Sequence, residues 1–204
     1  MTLAALKSAS YQDLLKLPDN VVGEIVDGEL IVSPRPASPH ARASSAAGME
    51  IGGPFHRKPG DPRGPGGWWI IDGPELHLGR HVLVPDIAGW RREKMPKWPD
   101  VAHFSQTPDW VCEVVSARSA RHDRVVKARI YREAGVEWFW LVDPIARFVE
   151  VLQNGGERWS IAGTWAGDDA AARMPPFDAV DVDLGRWWED GGEPIPLAAP
   201  DATR

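Results

Sequence analysis

Several kinds of chemistry are ruled out by what this sequence does not contain. It has a single cysteine, Cys112, so no disulfide can close within the chain, and a reducing cytoplasm is the expected setting. Its histidines (His40, His56, His77, His81, His103 and His122) fall into no HExxH or Cys/His spacing of a zinc site. There is no Walker loop, no GxGxxG and no Gly-x-Ser-x-Gly, which removes the usual nucleotide-binding and serine-hydrolase readings. No apolar run is long enough to span a bilayer. Met1 to Ser10 has neither the basic start nor the apolar centre of a signal peptide. Positive charge is also short, with a net charge of −6, which counts against a dedicated, tight duplex binder.

What remains is an ordinary globular composition, 43% hydrophobic and 25% charged over 204 residues, enough to bury a core. The pattern predicts one domain over residues 10–190 and a flexible tail over 191–204. Ser10 caps a short helix with Leu14, Leu15 and Leu17 inward, ended by Pro18. Asp27-Gly28 joins strands Val21–Val26 and Glu29–Val32 as a two-residue hairpin. Ser38-Pro39 opens a second helix that Gly52-Gly53-Pro54 stops. Strands follow between Trp68 and Trp90, broken at Asp72-Gly73-Pro74 and Gly79-Arg80. Trp110–Val115 is a strand, Ala120–Ala134 a helix stopped by Gly135, and Val136–Val142, Phe148–Leu152 and Arg158–Ile161 are further strands. The Asp183–Trp188 stretch is a short terminal element. The sum is an α/β or α+β fold, a mixed β-sheet flanked by helices.

Acids interrupt the apolar strands: Glu24 in Val21–Val26, Asp86 in Val82–Ala88, and Glu113 in Trp110–Val115. A desolvated carboxylate costs several kcal/mol, roughly, unless it is paired or bound to a cation. Each has an ordinary alternative, a solvent-facing strand position or strand end; for Glu24, beside a hairpin, the two readings balance. Glu113 has apolar neighbours on both alternating faces, the pattern of a fully covered strand. Carboxylate pairs suit Mg²⁺ or Mn²⁺. On the following helix Asp123, Lys127 and Tyr131 are spaced four apart and form one stripe. An exposed Asp123–Lys127 ion pair explains that spacing equally well.

Taken in order, Glu24-Ile25-Val26-Asp27-Gly28-Glu29-Leu30, Ser38-Pro39-His40, Pro85-Asp86, Cys112-Glu113-Val114-Val115-Ser116, Asp123, Lys127, Tyr131, Gly135-Val136 and Trp140-Leu141-Val142-Asp143-Pro144 resemble the Uma-two family of bacterial proteins. The resemblance runs from about Tyr11 to Ile161. It implies the restriction-endonuclease-like core of the PD-(D/E)XK nuclease superfamily, with Asp86 and Glu113 holding the metal, Mg²⁺ or Mn²⁺. Glu24 is implied as an additional acid, and His40 as a residue near the cleft. Val115 stands where the superfamily places the lysine of E-x-K, and the resemblance implies that Lys127 replaces it from the helix. Trp138 replaces a usual acid, a packing variation.

The function this implies is metal-dependent phosphodiester hydrolysis, with DNA as the expected substrate. Glu24, Asp86, Glu113 and Lys127 are the catalytic set, and His40, Asp123 and Tyr131 are accessory. A second reading is a catalytically inactive binding or assembly module on the same fold, which the acidic net charge favours. A third, sugar hydrolysis by two carboxylates, leaves Lys127 without a role. Six Lys/Arg against one acid between Arg118 and Arg132 make Arg118, Arg121, Arg124 and Arg129 candidate phosphate contacts, or simply a solvated helix face. Among eleven tryptophans, Trp68, Trp69, Trp110, Trp138 and Trp140 read as core. Trp90, Trp98, Trp187 and Trp188 read as interface anchors, suited to a homodimer contact.

Overall fold

Asp27 and Gly28 both take left-handed backbone, with φ of 50° and 83°, the conformation a two-residue hairpin demands. They join β1 (Val21–Val26) to β2 (Glu29–Pro34) in the computed structural model, which describes residues 8–35 and 37–188. Ahead of the hairpin lies α1 (Tyr11–Leu14), where the Ser10 amide and hydroxyl donate to Asp13 Oδ2 at 3.0 and 2.7 Å. A single turn cannot direct adjacent residues to one face. Leu14 and Leu17 therefore pack toward Gly23, while Leu15, expected inward, is 61% exposed.

The second helix, α2 (Ser38–Phe55), begins at Ser38 after Ala37 as N-cap, so Ser38 is its first residue and not its cap. It also continues through Gly52-Gly53-Pro54, where a stop was expected. Pro54 removes one donor from the last turn, and burial of Phe55 against Phe177 and the core holds that turn in place.

The remaining strands are β3 (Trp68–Asp72), β4 (Leu76–Leu78), β5 (His81–Leu83), β6 (Ile87–Arg91), β7 (Trp110–Val114), β8 (Trp138–Asp143), β9 (Phe148–Asn154) and β10 (Trp159–Ala166). They form a four-stranded sheet of order β2-β1-β5-β4 and a six-stranded sheet of order β10-β9-β8-β7-β6-β3. Among the strands of the described residues only β7 and β8 pair in parallel, and parallel neighbours need a crossover. Here it is a π-helical segment, His122–Lys127, that runs directly into α3 (Ala128–Ala134). Gly135 ends α3 with φ of 88°, as a C-terminal glycine should. The result is the mixed sheet with flanking helices that the sequence predicts.

Strand β7 is covered on both faces. Trp110, Cys112 and Val114 meet Ala43, Ala47 and Ile51 of α2. Val111 and Val115 lie in the opposite core with Ala128, Ile130 and Tyr131. Side chains alternate along a strand, so Glu113 faces the α3 side. Trp68, Trp110 and Trp140 are buried as expected, and Trp69 and Trp138 are half-buried. Trp90, Trp187 and Trp188, expected at an interface, are buried too. Trp187 belongs to a 3₁₀ turn, Leu184–Trp187, that closes over Phe177 and Trp140, so its polar sequence neighbours concealed a core position. Trp98 alone of that group is exposed, resting on Trp69 and Phe104. The expected tail, 191–204, lies outside the described residues.

Candidate active site

The chain leaves the small sheet at β5 and enters the large one at β6 through Val84-Pro85-Asp86, and two acids pin this crossing. Glu24, buried on β1, accepts the Val84 amide at 2.8 Å through Oε1. Pro85 can offer no donor. Beyond the Ile87–Cys112 pair the β6–β7 ladder stops, and the Asp86 side chain takes over: Oδ2 accepts the amide of Val114, the residue after Glu113, at 2.7 Å. The acids of three separate strand runs thus converge on one end of β7.

Lys127 completes the cluster. Its Nζ lies 2.8 Å from Glu113 Oε1 and 2.9 Å from Glu24 Oε1. The π-helical turn is what aims it. The Ala128 amide bonds the Asp123 carbonyl five residues back, which widens the turn, a deviation frequent at functional positions. Asp123 and Lys127 are both 4% exposed, so the exposed ion pair that explained their spacing is not what forms. One turn further, the Tyr131 hydroxyl donates to Glu113 Oε1 at 2.6 Å.

Electrostatics follow from burial. Desolvation pushes the Glu113 carboxyl well above its ordinary range against the pull of Lys127, and it raises Asp123 in the same way. Burial alone would lower Lys127, but the carboxylates of Glu113, Glu24 and Asp123 outweigh it and hold the ammonium above its usual value. His40, near the start of α2, places Nε2 3.3 Å from Asp86 Oδ2. Burial lowers its pKa, yet the hydrogen bond and charge of Asp86 carry the net shift upward. His122 was not singled out from sequence. Its Nε2 is buried without a hydrogen-bond partner, 3.8 Å from Glu24 Oε2.

A divalent cation suits this donor set. Glu24, Asp86, Glu113 and Asp123 oppose one lysine, and oxygen ligands in negative excess are what Mg²⁺ and Mn²⁺ select. Both donors to Glu113 use Oε1 and both Asp86 contacts use Oδ2, so the second oxygen of each can face an ion. The Asp86 side chain is 18% exposed, the more open side of the cluster. Glu75, His77 and His103, which no sequence pattern joined, form a separate group with metal-ligand spacing.

The basic face is less uniform than its composition suggested. Arg124 pairs with Asp143 and Glu150, and Arg129 with Asp27 and Glu133. Arg118 and Arg121 are exposed. No helix among the described residues is long and apolar enough to cross a membrane.

Residues 10–185 match the Uma2 family, described as "Putative restriction endonuclease". The chain also resembles a crystal structure from Anabaena variabilis ATCC 29413, titled as that of "a putative nuclease belonging to DUF820". The TM-score is 0.68 and the identity 20%, over 87% of this chain and 96% of that one. At that identity the likeness is one of fold. No curated protein matches the chain. The family match takes in every strand of both sheets together with Glu24, Asp86, Glu113 and Lys127, and the chain belongs to the Uma2 family.

Proposed function

We propose that the chain is a metal-dependent endonuclease that hydrolyses phosphodiester bonds in DNA, with Asp86, Glu113, Lys127 and Glu24 as its working residues. The observation that carries this reading is Lys127, buried and bridging Glu113 to Glu24. A lysine set on a helix, in place of one on the strand where Val115 stands, reaches the same acid. Asp86 and Glu113 would hold Mg²⁺ or Mn²⁺. Once bound, the ion supplies Lewis-acid polarisation of the phosphoryl group and activation of water.

The protein's own part is positional and electrostatic. Lys127 stays protonated at neutral pH because its acidic neighbours outweigh burial. It therefore serves as a fixed cation and donor for charge building on phosphoryl oxygens, not as a proton acceptor. Glu24 holds that ammonium in place, and Tyr131 fixes the Glu113 carboxylate. His40 orients Asp86 against β7. Exposed Arg118 and Arg121 can follow the phosphate backbone.

A buried lysine between two acids is costly to desolvate and adds little net stability, which favours a catalytic use over a non-catalytic module. The test is cleavage of supercoiled and linear DNA with Mg²⁺, Mn²⁺ or a chelator. Metal-dependent nicking or cutting that Asp86→Ala and Lys127→Ala each abolish supports the reading. Full activity in the Asp86→Ala protein removes that residue from the site.

A further inference from the structure

We infer that Glu75, His77 and His103 form a second metal site, selective for Zn²⁺ and separate from the acidic cleft. Glu75 immediately precedes β4, and His77 lies within it, two positions on, so both side chains leave on one face. Strand β4 ends the four-stranded sheet, and its free edge is taken by the loop that carries His103. The His77 amide donates to the Phe104 carbonyl at 2.8 Å, and the Phe104 amide to the Glu75 carbonyl at 2.9 Å. Leu76 and Phe104 are buried in the core on either side of that bridge. The backbone of both segments is therefore fixed before any ion arrives.

The side chains match that backbone order. The imidazoles of His77 and His103 stack at 3.7 Å with planes 10° apart, so one ring must turn about its Cβ–Cγ bond to bring both in-plane lone pairs onto one ion; His77 Nε2 lies 2.7 Å from Glu75 Oε1. One ligand atom from each of the three residues falls within 4.8 Å of the others. Tyr11 of α1 meets both rings edge-on, at 5.0 and 6.1 Å. Two imidazoles and one carboxylate form the donor set of a zinc site with a fourth position open to water. Mg²⁺, which prefers oxygen ligands throughout, is poorly served here. Side-chain exposures of 22% for His77 and 29% for Glu75 leave the group reachable.

The bound ion clamps the structure and takes no part in cleavage. It ties the 92–109 loop to the edge of β4, with α1 packed against the rings. Through β5 it stiffens β1, the strand that carries Glu24. The site stands on its own geometry, whatever the acidic cleft does.

The experiment is Zn²⁺ titration of the full chain by calorimetry, with X-ray absorption on the loaded protein. One Zn²⁺ per chain at micromolar metal is expected, with back-scattering from two imidazoles. A rise in Tm of a few degrees that a chelator reverses should accompany it. His103→Asn and Glu75→Gln should lose that ion, and Glu113→Gln should keep it. Absence of Zn²⁺ binding in the parent chain overturns the inference, as does binding that survives His103→Asn or disappears in Glu113→Gln. The imidazole count of the parent protein decides the matter without any variant, should His103→Asn fold poorly.

Discussion

Lys127 Nζ lies 2.8 Å from Glu113 Oε1, although one residue sits on a π-helical turn and the other on the strand before it. In the proposed site, that contact takes the place of a lysine two positions along the strand. Replacing Lys127 by Ala leaves Glu113 and Glu24 buried without a counter-charge. The expected loss is about 3–5 kcal/mol of stability, together with all cleavage. A raised lysine contributes stability that is fully present below its unfolded pKa and is lost only as pH rises through the folded one, so the bridge acts across the neutral range. In the variant, Glu113 can take a proton in acid, so urea unfolding should show a smaller deficit at pH ~5 than at pH ~8.

Glu113→Gln should behave in the opposite way. The folded protein holds the Glu113 proton above the ordinary carboxyl range. Metal-free stability of the parent chain therefore falls as pH rises from that range through the raised folded value. The variant should lose metal binding and cleavage, yet show a shallower fall in metal-free stability over the same window. Chemical unfolding at several pH values in chelator checks this. An unchanged slope would mean that Glu113 is not the buried acid responsible.

Cation binding should release protons. Glu113 and Asp123 are both raised mainly by desolvation, and a bound divalent ion favours their charged forms. Calorimetric titration with Mn²⁺ in buffers of different ionisation enthalpy should show buffer-dependent heats, and apparent affinity should increase with pH. Heats that are the same in every buffer would exclude protonated carboxyls from the site.

Tyr131→Phe removes the 2.6 Å hydrogen bond to Glu113 and little else. The expected cost is about 1–3 kcal/mol, the range for a bond to a charged or buried acceptor. A reduced but measurable cleavage rate should accompany it, with rate and stability read from the same preparation.

Most strands and the end of α3 were legible because turn chemistry marked them. Asp27-Gly28, Gly79-Arg80 and Gly135 all sit where the chain reverses or stops. Glu113 was legible for a similar reason, since a fully apolar strand leaves an acid no solvent face. The lysine was not, because four-residue spacing describes an exposed ion pair as well as a buried stripe. The π-helical turn that decides between them leaves no mark in composition. Pro54 and the polar neighbours of Trp187 misled in the opposite direction, where tertiary burial of Phe55 and Trp187 overrode local signals. Glu75 and His77 shared a face in plain view. Their partner His103 came within reach only through the edge pairing of Phe104.

Arg118 and Arg121 are exposed, whereas Arg124 and Arg129 are committed to acids. Changing the first pair to Ala should weaken DNA binding and make its salt slope shallower by about 1 for each phosphate no longer neutralised. Fluorescence anisotropy in chelator, over a salt series, measures this. An unchanged slope would place the DNA on another face.

The most direct test of the acidic cleft is anomalous diffraction from a crystal soaked in Mn²⁺. A peak coordinated by the carboxylates of Asp86 and Glu113, with Lys127 Nζ still against Glu113, is the result expected. A cleft without manganese at millimolar concentration, or manganese bound only at Glu75, His77 and His103, would contradict the account.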